Sequence, residues 1–180
     1  MTRAELVKNL QALPGAVVSD TDHKARGFDL DVKLSPENIA EAVQLMDEAG
    51  YFLDTMTGVD WLGEQEALRK EADKGKAAAP ASESAAGEPP LPQAGIGEDE
   101  IEIVYDFNNF QEPYGVVLRV RTPRAKPEVP SIHHIYPIAH WHEREAHEFF
   151  GVVFTGHPYL VPLLLPEDAD YHPLLKDFVA

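Results

Sequence analysis

Cysteine is absent from the 180 residues. This excludes a disulfide framework, a thiolate nucleophile and a thiolate-ligated iron–sulfur cluster within the chain. Long apolar runs are missing too: none approaches the roughly 18 residues that a membrane helix needs. The start, Met1-Thr2-Arg3-Ala4-Glu5-Leu6-Val7-Lys8, has no apolar stretch of the signal-peptide kind. A cytoplasmic chain is expected, touching a membrane only through a partner. Cations are scarce, with Lys+Arg 15 against Asp+Glu 31 and a net charge of −16. That balance argues against nucleic acid and anionic lipid, both of which attract Lys and Arg. There is no Gly-x-Ser-x-Gly turn, phosphate loop or dinucleotide glycine fingerprint, and no catalytic constellation emerges.

What is present suffices for one core, since 44% of the residues are hydrophobic. Residues 2 to 12 read as a short helix capped by Thr2 and stopped at Leu13-Pro14-Gly15. A short strand, Ala16-Val17-Val18, follows. Phe28, Leu30, Val32 and Leu34 alternate with Asp29, Asp31 and Lys33, the pattern of a half-buried strand. Ser35-Pro36-Glu37 opens a second helix with a cap, an N1 proline and an early acid, and it runs to Gly50. Tyr51 to Trp61 and Ile101 to Phe107 read as strands, and Val116, Leu118 and Val120 form the return strand of a hairpin. The blocks predict an α+β fold, a mostly antiparallel sheet with helices packed on one face, followed by an extended Pro-rich C-terminal tail.

Residues 64–98 differ in kind, as in Ala77-Ala78-Ala79-Pro80-Ala81-Ser82-Glu83-Ser84, with too little apolar mass to offset the entropy of ordering. They read as a flexible insertion between two paired strands, with Glu64 to Lys76 transiently helical. Lengthening a loop from about 4 to about 35 residues costs only about 2 kcal/mol of closure entropy. The expected organisation is a single domain from 1–63 and 99–156, the insertion 64–98, and a partner-docking tail 157–180.

The densest stretch lies near the C-terminus. Pro137 suits a first helical turn and Gly151 a left-handed stop, so a helix is expected from about Pro137 or Ala139 to Phe150. The i, i+3/i+4 rule groups Ile138, Trp141, Glu145 and Phe149 on one face, with Glu145 looking inward, and Glu143, His147 and Phe150 on a neighbouring one. From His157 to Phe178 there are four prolines, six leucines and Tyr159 without a periodic pattern. Such a segment cannot complete its own ladder, and its leucines need a surface, this core or a neighbour, to cover them.

Glu143-Arg144-Glu145-x-x-Glu148-Phe149-Phe150, then His157-Pro158 and Leu163-Leu164, resembles the signature of the 30 kDa family, the C subunit of respiratory NADH-quinone oxidoreductase (complex I). The flanks Ile135-Tyr136-Pro137, Leu165-Pro166-Glu167-Asp168 and His172 to Phe178 agree, as does Asp54 to Trp61 upstream. The resemblance implies a non-catalytic scaffolding subunit in the peripheral arm of a membrane-associated NADH:quinone oxidoreductase, at the inner face of the cell membrane. It would hold the large quinone-site subunit in an assembly that couples electron transfer to proton translocation. The implied partners are a hydrogenase-like large subunit (D type), a small iron–sulfur subunit (B type) and other peripheral-arm subunits, with the tail lying along the large subunit. The parent complex implies iron–sulfur clusters and, for complex I, FMN, NADH and quinone, none of them bound by this chain. The implied partner interface comprises Glu143, Arg144, Glu145, Glu148, His157, Pro158, Leu163, Leu164, Lys176 and Asp177. Equivalent subunits occur in energy-converting nickel–iron hydrogenases and formate hydrogenlyases, an alternative parent. One departure stands out: Val161-Pro162 replaces the family's usual arginines, which implies an altered partner surface or a divergent complex.

A more distant reading is a free-standing metallohydrolase, because His133, His134, His140, His142 and His147 crowd together. His142 and His147 are five apart, about 140° around a helix, whereas zinc proteases use histidines at i, i+4. Glu143 and His147 do have that spacing, and His133-His134 could approach from the preceding loop.

Overall fold

The computed structural model describes residues 1–64 and 99–179; the expected insertion therefore lies outside the described residues except for Glu64. Helix α1 (Arg3–Ala12) starts with a capping box in which Thr2 and Glu5 each bond the other's backbone N–H. Strand β1 (Val17–Asp20), the single-turn helix α2 (His23–Arg26) and β2 (Leu30–Leu34) follow. A 3₁₀ turn (Pro36–Asn38) leads into α3 (Ile39–Glu48). Ser35 was expected to cap this helix, but its hydroxyl instead accepts the Asn38 side-chain amide, 3.0 Å away, and makes no cap bond. The tight turn brings that amide close enough to compete with the backbone. Then come β3 (Phe52–Asp60), β4 (Glu100–Asn108), β5 (Val116–Pro123), β6 (Glu128–Pro130), α4 (Ala139–Phe150) and β7 (Val153–Thr155).

Five strands form one sheet in the order β1-β2-β5-β4-β3, antiparallel except for the parallel β2–β5 pair; β6 and β7 make a small parallel pair. The register puts Leu30, Val32 and Leu34 in line with Val116, Leu118 and Val120. These lie across from Phe107, Tyr105 and Ile103, and Tyr105 and Ile103 in turn from Met56 and Gly58. That face shares one core with Leu6 and Leu10 of α1, Ile39 and Met46 of α3, and Ala139, Ala146 and Phe150 of α4. The helices therefore cover one side, as the blocks predicted.

The other side carries charge. Alternation along β2 predicted a half-buried strand, yet all five residues are buried, Asp31 and Lys33 included. The reason is central placement between β1 and β5 and ion pairing: Asp31 accepts from Arg119 at 3.0 Å. Glu102 bonds Arg121 (3.4 Å) and the Trp61 indole N–H (3.1 Å), and Arg121 also reaches Glu64 and Glu100. Each carboxylate in this ladder is held by other side chains.

Candidate interaction site on the last helix and the tail

Helix α4 runs between the expected limits, Ala139 to Phe150, and Gly151 closes it at φ 74°. Two small residues, Ala139 and Ala146, are buried on it, and Phe150 packs against Gly58 of β3, where an added Cβ would lie 2.5 Å from the ring. A side chain at Gly58 would push the helix off the sheet. Just before α4, the Tyr136 hydroxyl donates to the Tyr51 carbonyl, 2.6 Å away.

The buried face differs from the one expected. Ile138, Trp141 and Glu145 are exposed, whereas Glu143, Arg144 and Glu148 are buried. The cause is polar satisfaction: a buried carboxylate or guanidinium is tolerated when backbone groups saturate it. Glu143 accepts the Ile132 N–H at 2.7 Å and the Ser131 hydroxyl. Burial pushes its carboxyl up to about 7 even though these bonds pull the other way. Arg144 donates to the Val161 and Pro162 carbonyls at 2.9 and 2.7 Å, with its guanidinium 5.4 Å from the Trp141 and Tyr159 ring centres. Glu148 accepts three successive backbone N–H groups, from Leu163 (2.7 Å), Leu164 (3.0 Å) and Leu165 (3.1 Å).

The tail also finishes the helix. The last carbonyls of a helix have no partner within it. Here the Glu148 carbonyl accepts from His172 Nδ1 at 2.9 Å and the Phe149 carbonyl from the Leu174 N–H at 3.2 Å. The His172 ring lies against Gly151, 2.9 Å from where a Cβ would stand. Further on, the Lys176 N–H donates to Asp60 at the end of β3 (2.9 Å), which also binds Arg124 (3.0 Å), and Arg124 pairs with Asp177. That bond holds the Asp177 carboxyl below its ordinary value.

The tail backbone is thus fastened to this chain's own helix and sheet, where the family resemblance favoured a neighbour as its support. Its apolar side chains are another matter. Tyr159 (59% exposed), Leu164 (66%) and Leu174 (53%) project outward, and Trp141 (52%) is exposed on α4, its ring and that of Tyr159 both against the Arg144 guanidinium.

Of the residues expected at a partner surface, Glu143, Arg144, Glu148 and His157 are gathered at α4, with Leu163 and Leu164 bonded to Glu148. Glu145 and Pro158 are exposed and have no bond of this network, and Lys176 and Asp177 join the end of β3 instead. Sequence reasoning passed over Ser131, Asp60, Arg124 and His172. Asp60 did carry a signal: the alternation of Met56 and Gly58 places it on the inward face, where a carboxylate must be satisfied.

The histidines split up. His147 Nδ1 donates to the Val152 carbonyl at 2.8 Å, while His157 contacts His140 (ring centres 4.7 Å apart) and His133 (5.5 Å). Among the described residues no three His, Asp or Glu side chains are grouped to hold a metal ion. No helix among them is long and apolar enough to cross a membrane.

The fold resembles that of a chain in the membrane-bound sulfane sulfur reductase, an archaeal respiratory membrane complex (TM-score 0.67, 24% identity, 98% of this chain and 85% of that one). It also resembles the trypsin-resistant fragment of Nqo5 (TM-score 0.58, 22% identity, 89% of this chain and all of the fragment). These likenesses establish the α+β architecture. In sequence, residues 32–180 match the family described as the respiratory-chain NADH dehydrogenase 30 Kd subunit. The NADH-quinone oxidoreductase C subunit of Roseiflexus castenholzii is 31% identical over 170 residues, 92% of this chain and 77% of that protein. The F(420)H(2) dehydrogenase C subunit of Methanosarcina mazei is 42% identical over 81 residues, 44% of this chain and 51% of that protein. The chain belongs to the family of the 30 kDa subunit of respiratory-chain NADH dehydrogenase.

Proposed function

We propose that the chain is a scaffolding subunit of the peripheral arm of a membrane-associated NADH:quinone oxidoreductase, docking through α4 and the tail onto a hydrogenase-like large subunit. The observation that carries this reading is a division of labour within residues 157–179. Their backbone is bonded to Arg144, Glu148, Phe149 and Asp60, while Tyr159, Leu164 and Leu174 are left facing outward with Trp141. An irregular segment fixed by its main chain presents apolar side chains in a defined arrangement, as an interface core requires. Glu143, Arg144 and Glu148 act as positioning residues, and Leu164, Tyr159 and Trp141 as contacts.

The redox groups of such an assembly would belong to other subunits. With no thiolate, this chain's donor set does not suit an iron–sulfur cluster. Membrane attachment on this reading is indirect, at the cytoplasmic face, through the complex. The relative in an F(420)H(2) dehydrogenase favours a second reading, the same scaffold in a related complex with another electron donor, hydrogenases and formate hydrogenlyase included.

The test is affinity purification of the tagged chain from its native host in mild detergent, with mass spectrometry of what comes with it. The scaffold reading expects an iron–sulfur small subunit and a hydrogenase-like large subunit, and NADH-binding subunits distinguish the two parents. Arg144→Ala should lower that recovery while leaving the isolated chain folded. Recovery of the chain alone, or undiminished recovery with Arg144→Ala, contradicts it.

A further inference from the structure

Two buried side-chain polar atoms among the described residues make no well-formed hydrogen bond, the Tyr105 hydroxyl oxygen and His157 Nε2, the His140 backbone giving His157 at most a weak one. Both concern Glu143. The carboxylate's Oε2 lies 3.9 Å from His157 Nε2, both side chains wholly buried, and the Glu143 charge reaches Tyr105. Buried donors without partners are rare, and 3.9 Å is too long for a hydrogen bond.

The His157 tautomer follows from its other nitrogen. Nδ1 accepts the Tyr159 N–H at 3.2 Å, so in the neutral ring the proton sits on Nε2 and points towards the Glu143 side. An ionised Glu143 has lone pairs beyond those that Ile132 and Ser131 occupy, and His157 Nε2–H is the nearby imidazole donor able to fill one. A protonated Glu143 has no such demand, and the gap stays open.

We infer that Glu143 and His157 form a proton-operated clasp between α4, with the loop residues Ser131 and Ile132 that it holds, and the beginning of the tail, closed when Glu143 is ionised and open when it is protonated. Closing shortens the 3.9 Å separation by about 1 Å, to ordinary hydrogen-bond length. His157 then carries Pro158 and Tyr159 with it, immediately before the carbonyls that Arg144 holds. The groups facing the pair are Tyr105 from β4, Ser131 and His133 from the loop after β6, and His140 and Arg144 from α4, with His134 next to His133. Burial, followed by the charges of His140, His133 and Arg144, keeps His157 below the usual imidazole range against the upward pull of the His140 backbone, which competes with Glu143 for the ring N–H, and burial with His134 and His140 lowers His133. The titrating member near neutral pH is therefore Glu143.

Nitrogen-15 NMR of the histidine rings in the full chain, titrated from about pH 5 to about pH 9, tests this. The clasp predicts that His157 keeps its Nε2–H tautomer and that its ring nitrogens move in a step centred near 7, a step absent from Glu143→Gln. A His157 that titrates as a free imidazole, or a step that persists in Glu143→Gln, overturns it. Independently of that variant, the Glu143 side-chain carboxyl carbon can be followed in the unmodified chain and in His157→Phe. Loss of the donor should raise the Glu143 midpoint by about one pH unit, and an unchanged midpoint overturns the clasp.

Discussion

Two sets of buried charges in this molecule are satisfied in opposite ways. On the outer face of the sheet, Asp31, Glu100 and Glu102 are held by Arg119 and Arg121, side chain to side chain. On α4 the charged groups bind chiefly backbone: Glu143 holds Ile132, Arg144 holds Val161 and Pro162, and Glu148 holds residues 163–165, while Asp60 does both, holding the Leu62 and Lys176 N–H groups and the Arg124 guanidinium. The first arrangement ties together strands already paired by their own ladders. The second fixes segments that have no ladder, which is how a Pro-punctuated tail obtains one shape.

Removing a backbone-binding charge should therefore cost more than removing a ladder charge, and should loosen a particular segment. Glu148→Ala abandons three N–H groups bonded to a charged acceptor. With bonds to charged groups at about 1.5–3 kcal/mol each and far from additive, about 3 kcal/mol of destabilisation in urea titration is expected, with faster cleavage by protease in the tail.

Glu143 gives a pH signature of similar size. Its folded-state carboxyl at about 7 is above its ordinary 4.5, so the folded chain holds that proton more tightly than the unfolded one. The contribution is fully present below about 4.5 and is lost as pH rises through about 7, up to about 3 kcal/mol. His133 and His157, both below the ordinary imidazole value, act oppositely, opposing stability as pH falls through about 6.5. Comparing the chain with Glu143→Gln removes the part of the histidine contribution that does not depend on Glu143. The unmodified chain should lose up to about 3 kcal/mol relative to the variant between about pH 5 and about pH 8 in paired urea titrations.

Glu102→Ala should be milder, about 1 kcal/mol in thermal unfolding, because Arg119 keeps Asp31 and Arg121 keeps Glu64 and Glu100. A loss above about 3 kcal/mol there would erase the contrast between the two regions. The exposed Lys126–Glu128 pair sets the lower end: Lys126→Ala should change stability by under about 0.5 kcal/mol.

Much of the frame was legible in advance. Pro137 and Gly151 bracketed α4, Thr2 marked the start of α1, Thr, Val and aromatic content located β3, and alternation located β4 and β5, to within a residue or three at their ends. The parallel β2–β5 pair was not legible, because a period of two assigns faces and says nothing of neighbours. The inward face of α4 was misplaced for a related reason. Grouping by the i, i+3/i+4 rule sends Trp141 and Phe149 inside and Glu145 with them, but the groups that admit Glu148 are amides 15 to 17 positions away, beyond any local pattern. The same applies to Glu143, admitted by Ile132 and Ser131.

Amide hydrogen exchange at Leu163, Leu164 and Leu165, compared between the unmodified chain and Glu148→Gln, tests most directly whether α4 shapes the tail. Exchange at these amides should be slow in the first and at least about tenfold faster in the second, while the amides of β4 and β5 are unchanged. Equal exchange at residues 163–165 in both chains would mean that Glu148 does not hold the tail and that the helix does not set its shape.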